Sequence, residues 1–106
     1  MSDEIKKISG DSFSDEVKEG VVLVDFYADW CGPCRMMTPV LSKVAKEMTG
    51  KAKIAKVDID AAQQVAAKFQ VSSIPTLVLF KEGKEVGRLV GLRDEKSIKE
   101  FIETAV

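Results

Sequence analysis

Two periodicities of apolar and polar residues along the chain divide it into predicted strands and helices. The stretch VVLVDFYA (21–28) is apolar on both faces, as a central parallel strand requires, and AKIAKVDI (52–59) predicts the next strand. SSIPTLVLF (72–80) and KEVGRLVG (84–91), joined through KEGK, predict an antiparallel hairpin. A short first strand is predicted at EIKKIS (4–9).

Apolar residues three and four apart predict four helices between and after these strands. They lie at DSFSDEVKEG (11–20), at RMMTPVLSKVAKEMTG (35–50), at AAQQVAAKF (61–69) and after Asp94. We expect Asp60 to cap the third helix and Asp94 the fourth. Strands alternate with helices and a hairpin follows, which predicts an α/β fold with a mixed sheet covered by helices on both faces.

Length and charge narrow the classes of function. The 106 residues suffice for one domain, which we place at 1–106, and are too few for two. With a net charge of −1 and no basic run, nucleic acid is not an expected partner. The longest apolar runs are far shorter than the roughly 20 residues that span a bilayer, so no membrane contact is expected. The start MSDEIKK has no secretory pattern, and we expect a cytoplasmic protein.

All of the cysteine lies in the segment ADWCGPCRM (28–36), as Cys31 and Cys34. A disulfide between them closes too small a ring to stabilise the fold much, which favours chemistry over scaffolding. Residues i and i+3 of a helical turn have Cα atoms roughly 5 Å apart, within the range of about 4.4–6.8 Å that a disulfide requires. The spacing therefore predicts reversible exchange between dithiol and disulfide.

The two thiols are expected to differ, because Cys31 falls where a buried strand ends and a helix begins. The unpaired amides and the dipole at a helix start favour its thiolate. Cys34, one turn further on, should be less exposed and resolve the intermediate that Cys31 forms. Gly32 permits close approach by a partner, and Pro33 suits the first helical turn.

Composition limits the other interpretations of the cysteine pair. Zinc wants about four ligands, usually Cys and His, and this chain has no His and no third Cys. We therefore expect no metal site within one chain. A metal site shared between two chains is one alternative, and an inert pair of buried cysteines without redox chemistry is another. Catalysis by a Cys–His pair is excluded, since there is no His.

The segments VDFYADWCGPC and PTLVLFKEGKEVGRLVG closely resemble the thioredoxin family, and the similarity runs the whole 106 residues. The resemblance implies a thioredoxin fold, with a five-stranded mixed sheet flanked by four helices. It implies a general protein-disulfide oxidoreductase that reduces disulfide-containing protein substrates and holds no cofactor of its own. Such proteins are recharged by a thioredoxin reductase that usually draws on NADPH, and we expect a monomer.

The resemblance also assigns roles to single residues. It makes Cys31 the attacking and Cys34 the resolving cysteine, Asp25 a buried acid and Lys56 the lysine near it. The implied substrate-contacting surface consists of Trp30, Gly32, Pro33, Ile74, Pro75 as a cis-proline, and Gly91. Departures from the family pattern are Tyr27 in place of a second tryptophan, Arg35 in place of a common lysine, and Ser72-Ser73 in place of a frequent Arg-Gly.

Several alternatives remain beside this interpretation. Asp25 could be a paired structural carboxylate, Lys56 a solvated strand lysine, and Gly91 simply the end of a strand. Oxidases and isomerases of the same fold typically carry His between the cysteines, where this chain has Gly32-Pro33. A binding or scaffold module with an incidental redox pair is the alternative from another class.

Overall fold

The computed structural model describes residues 5–106. Nine elements follow one another within this range, and all fall where the hydrophobic pattern predicts them: β1 Ile5–Lys7, α1 Phe13–Val17, β2 Val21–Tyr27, α2 Gly32–Glu47, β3 Lys53–Asp58, α3 Gln63–Lys68, β4 Thr76–Lys81, β5 Lys84–Val90 and α4 Glu95–Glu103. The first residue of the predicted strand EIKKIS lies outside the described residues.

The five strands form one mixed sheet in the order β1-β3-β2-β4-β5. The pairs β1–β3 and β2–β3 are parallel, whereas β2–β4 and the hairpin β4–β5 are antiparallel. The strand β2 therefore lies at the centre, with five of its seven residues buried. Its near-continuous apolar sequence follows from this position, because helices cover both faces of the sheet.

Each face of the sheet packs against two helices. On one face, the side chains of Leu23 and Ile54 join apolar residues of α2 and α4, including Leu41 and Ile98. On the other face α1 and α3 cover the sheet, and four phenylalanine rings pack with centroids 5.3–6.4 Å apart. The predicted α/β architecture, the thioredoxin fold with a five-stranded sheet and four helices, is confirmed.

The two predicted helix caps have different outcomes. Asp94 caps α4 as expected, with its Oδ1 accepting a hydrogen bond of 2.8 Å from the Ser97 amide. The prediction for Asp60 is wrong, because Ala62 occupies the capping position of α3 and no side chain of the described residues caps that helix. The chain makes a turn between Asp60 and Gln63, which leaves the Asp60 carboxylate available to another partner.

The end of β2 positions the cysteines. After Tyr27 the chain leaves the sheet through Ala28, Asp29 and Trp30 and enters α2 at Gly32.

Within residues 5–106, no helix is both long enough and apolar enough to cross a bilayer.

Candidate functional site

Cys31 and Cys34 form a disulfide at the N-terminus of α2, with their Cα atoms 5.2 Å apart. Cys31 is the capping residue, in an extended conformation, and Pro33 lies in the first turn, where a missing amide hydrogen leaves no helical bond unmade. The Cα distance agrees with the value expected from the spacing of the two cysteines and suits a reversible disulfide.

The surroundings of the two sulfur atoms differ more than their exposure does. Both residues are buried, Cys31 with 5 % and Cys34 with 3 % of its surface exposed, so the predicted contrast in exposure is slight in this disulfide form. The Cys34 amide donates a hydrogen bond of 3.1 Å to Cys31 Sγ, as an amide at a helix start does for a capping side chain. The Ile74 carbonyl oxygen lies 3.9 Å from the same sulfur.

Asp25 is buried in the middle of β2, with 5 % of its surface exposed. Loss of hydration raises the pKa of its carboxyl from 3.8 to about 7, against the opposing effect of the Lys56 ammonium. Among the described residues its Oδ1 has no hydrogen-bond partner. A buried acid without a permanent partner, and with a pKa near neutrality, suits proton transfer better than a structural ion pair does.

A pocket of about 140 Å³ joins this acid to the second cysteine. Side chains from β2, α2 and β3 line it, among them Asp25, Cys34, Lys56, Tyr27, Arg35 and Thr38. Asp25 lies directly opposite Lys56 in the register of β2 and β3, so the lysine 31 positions later in the sequence is its neighbour on the same face. The structure thus places Asp25, Lys56 and Cys34 around one space, as the resemblance implies.

The backbone before β4 lies beside the disulfide. The Ile74–Pro75 peptide bond is cis, in agreement with the expectation for Pro75. Ile74 is partly exposed and packs against the cluster that contains Cys31 and Cys34. The Gly91 amide donates a hydrogen bond of 2.8 Å to the Pro75 carbonyl, and Gly91 has a φ of +90°, which glycine adopts without strain. Ile74 therefore adjoins the cysteines, Pro75 follows it in the chain, and Gly91 is bonded to Pro75.

Trp30 is an exposed aromatic residue next to Cys31, with 68 % of its surface accessible. Its indole Nε1 donates a hydrogen bond of 2.9 Å to Asp60 Oδ2. This carboxylate is the one that was expected to cap α3. The indole is therefore held in one orientation at the surface rather than packed into the core.

Two contacts at the site have no signal in the sequence. Asp60 is 30 positions from Trp30, and only the close approach of the loop after β3 to the loop after β2 brings them together. The Arg35 guanidinium donates a hydrogen bond of 2.7 Å to the Asp29 carbonyl, which ties the start of α2 to the loop before it. No spacing pattern in the sequence indicates either the Trp30–Asp60 contact or the Arg35–Asp29 contact.

The assembled site can accept and release a pair of electrons at its disulfide. The pocket supplies a carboxyl group beside Cys34, and the exposed Trp30 and the partly exposed Ile74 lie next to Cys31. Within the part of the chain that the structure describes, no three Cys, Asp or Glu side chains cluster as a metal site would require.

Comparison with known proteins gives one consistent result. Residues 4–104 match the family described as thioredoxin. The chain is 53 % identical over 98 residues to the thioredoxin of Chlamydia muridarum, covering 92 % of this chain and 95 % of that one. It is 48 % identical over 99 residues to the thioredoxin of Staphylococcus saprophyticus, covering 93 % and 95 %.

The fold of this chain also matches a solved thioredoxin structure. A mutant thioredoxin from Halobacterium salinarum superposes with a TM-score of 0.89 at 42 % identity. The match covers 99 % of this chain and 94 % of that one.

Proposed function

Because this chain belongs to the thioredoxin family and carries a dithiol–disulfide redox pair at Cys31 and Cys34, we propose that it is a general reductant of protein disulfides. The observation that carries the proposal is the position of the pair, with Cys31 Sγ at the start of α2 and Cys34 beside the Asp25 pocket. In that position one sulfur is favoured as a thiolate and the other has a proton acceptor beside it.

The first step is attack by the Cys31 thiolate on one sulfur of a substrate disulfide. The Cys34 amide that donates to Cys31 Sγ stabilises the negative charge of that thiolate, as does the dipole of α2. A mixed disulfide between Cys31 and the substrate forms, the substrate S–S bond breaks, and the first substrate thiolate leaves.

The second step releases the reduced substrate. Cys34 transfers its proton to the Asp25 carboxylate, and its thiolate attacks Cys31 Sγ. The Cys31–Cys34 disulfide forms and the second substrate sulfur leaves as a thiolate, so two electrons have passed to the substrate. Lys56, opposite Asp25, favours the ionised carboxylate that accepts the proton.

A substrate-contacting surface surrounds Cys31 in this proposal. Trp30 offers an exposed aromatic face, and Gly32 and Pro33 lie between the two cysteines without bulky side chains. The remaining members are Ile74, Pro75 and Gly91. An extended substrate segment suits this surface, because Gly32 and Pro33 place no bulky side chain between the two cysteines.

The partners follow from the reaction. The Cys31–Cys34 disulfide has to be reduced again after each reaction, and a thioredoxin reductase is the proposed electron donor. We also propose a cytoplasmic location, because a reducing compartment keeps such a cysteine pair in its dithiol form. A monomer built from a single domain over residues 1–106 serves this exchange, since every residue invoked lies in one chain.

The test is to trap the intermediate. Cys34→Ser should stall the reaction after the first step and accumulate mixed disulfides on Cys31, which reducing agent releases and mass spectrometry identifies. The control Cys31→Ser should trap none. A double variant that lacks both thiols but still performs the cellular task would instead favour the scaffold role.

A further inference from the structure

Tyr27 lies on the same face of the sheet as Asp25 and lines the same pocket. The two residues are two positions apart on β2, and side chains at that spacing point to one side. The ring is half-buried at the end of the strand. The proposed reaction gives this tyrosine no role, although no other aromatic side chain of residues 5–106 lines the pocket.

The Lys56 ammonium lies over the face of the Tyr27 ring. Lys56 Nζ lies 5.4 Å from the ring centroid, within the roughly 6 Å over which a cation is attracted to an aromatic face. The sheet register produces this contact, because Asp25 lies opposite Lys56 and Tyr27 opposite Asp58. Lys56 is thus the diagonal neighbour of Tyr27 on β3, and the direct neighbour of Asp25.

A second lysine, Lys7, lies near the hydroxyl group of Tyr27. Lys7 of β1 lies opposite Lys56 in the register of β1 and β3, and the nearby Tyr27 oxygen raises its pKa. Burial raises the pKa of Tyr27 itself, against the opposing effect of the Lys7 ammonium, and Asp58 and Asp29 raise it further. The phenol is therefore uncharged at neutral pH. Lys7 lies on the side of its hydroxyl group, and Lys56 lies over its face.

We propose that Tyr27 is a positioning residue that holds the Lys56 ammonium at the mouth of the Asp25 pocket. Without an aromatic face beneath it, a long lysine side chain at a half-exposed strand position would extend into solvent, away from the carboxylate. With Tyr27 in place, Lys56 stays near the acid and favours its ionised form. This role rests on the proposed function of Asp25 as the proton acceptor of Cys34.

The charged and titratable groups around Asp25 decide how the proposal is tested. They come from β2, β3, α2 and the loop between β2 and α2, and they are Tyr27, Asp29, Cys34, Arg35 and Lys56. Tyr27 is the one whose ring can be altered without changing a charge near the acid at neutral pH. Substitution at Tyr27 therefore separates the position of Lys56 from its presence.

The experiment is a titration of the Asp25 carboxyl carbon by NMR, in the oxidised protein. Tyr27→Leu removes the aromatic face and should raise the Asp25 pKa by about half a pH unit, which corresponds to one charge moved away in a solvated setting. Lys56→Met should raise it at least as much, and the double variant no further than Lys56→Met alone. Tyr27→Phe keeps the face and should shift the titration by less than half as much as Tyr27→Leu.

The proposal is overturned if Tyr27→Leu leaves the Asp25 titration unchanged, or if its effect persists in full when Lys56 is already Met. A measurement on the unaltered protein guards against a variant that does not fold. The Lys56 methylene protons next to the ammonium should be shifted upfield by the ring, and their absence from that position also overturns the proposal. Neither readout involves disulfide reduction, so a failure of the proposed function appears separately, as normal reduction by Asp25→Asn.

Discussion

Asp25 and Lys56 lie opposite each other on neighbouring parallel strands, yet Asp25 Oδ1 has no hydrogen-bond partner within residues 5–106. Desolvation therefore outweighs the attraction of the lysine, and the pKa of the acid rises to about 7 rather than falling as it does in a close ion pair. The carboxyl is thus able to change its protonation state near neutral pH.

This raised pKa predicts that Asp25 destabilises the fold as pH rises. Below about pH 4 the acid is protonated in both the folded and the unfolded chain and has no effect. Between about pH 4 and pH 7 only the unfolded chain ionises, so the free energy of unfolding falls, by up to about 4 kcal/mol, and then levels off. Asp25→Asn should therefore stabilise the oxidised protein at pH 8 and little at pH 4, as measured by denaturant unfolding.

The matched control for that measurement is Asp15→Asn. The Asp15 side chain is 84 % exposed on α1, so the substitution should change the free energy of unfolding by no more than about 0.5 kcal/mol. An equal gain in stability for Asp25→Asn at both pH values would contradict the titration argument.

Asp25→Asn should also slow the release of reduced substrate. Without a proton acceptor beside Cys34, the second step should be about 100-fold slower at pH 7, and the deficit should shrink at alkaline pH, where the thiol ionises unaided. Single-turnover reduction of a protein disulfide against pH measures this. A wild-type rate at every pH would mean that Asp25 moves no proton here.

The two thiols of the reduced protein should react unequally with an alkylating reagent. The amide that donates to Cys31 Sγ stabilises its thiolate, whereas ionised Asp25 disfavours the thiolate of Cys34. One equivalent of iodoacetamide at pH 7 should label Cys31 about 10-fold more than Cys34, as quantified by peptide mass spectrometry. The prediction fails if both cysteines are labelled equally.

The contact between Trp30 and Asp60 predicts an effect on substrate binding. Asp60→Ala removes the acceptor of the indole hydrogen bond, so the ring should become mobile and KM for a protein disulfide should rise by about 2- to 10-fold. Asp60→Asn keeps an acceptor oxygen and should lose less. Trp30 is the one tryptophan in the chain, so its fluorescence anisotropy reports the mobility directly, and unchanged anisotropy in Asp60→Ala would refute the tether.

Gly91→Ala should destabilise the protein through its backbone. The φ of +90° at Gly91 is strained for alanine, although no atom of the described residues would crowd the added Cβ, and we expect a loss of about 1–2 kcal/mol. Gly10→Ala is the control, because its φ lies outside the left-handed region and its nearest contact would be an ordinary 3.6 Å. Denaturant unfolding should separate the two variants clearly.

The sequence by itself determined the elements of this protein and the chemistry of its cysteines. Apolar periodicity is a local property, so it placed every helix and strand of the described residues, and the spacing of Cys31 and Cys34 at a helix start set their Cα distance at the value the structure has. The cap at Asp94 was predictable for the same reason, because donor and acceptor are three positions apart.

Only the tertiary structure decided which distant side chains meet. The register of β2 and β3 brings Lys56 to Asp25 and to the Tyr27 ring, and nothing local to any of these residues specifies that register. Asp60 was misassigned because a carboxylate before a predicted helix looks like a cap, whereas packing of two loops offered it the Trp30 indole instead. The pKa of Asp25 likewise depends on how completely the surrounding elements exclude water, which is a property of the assembled fold.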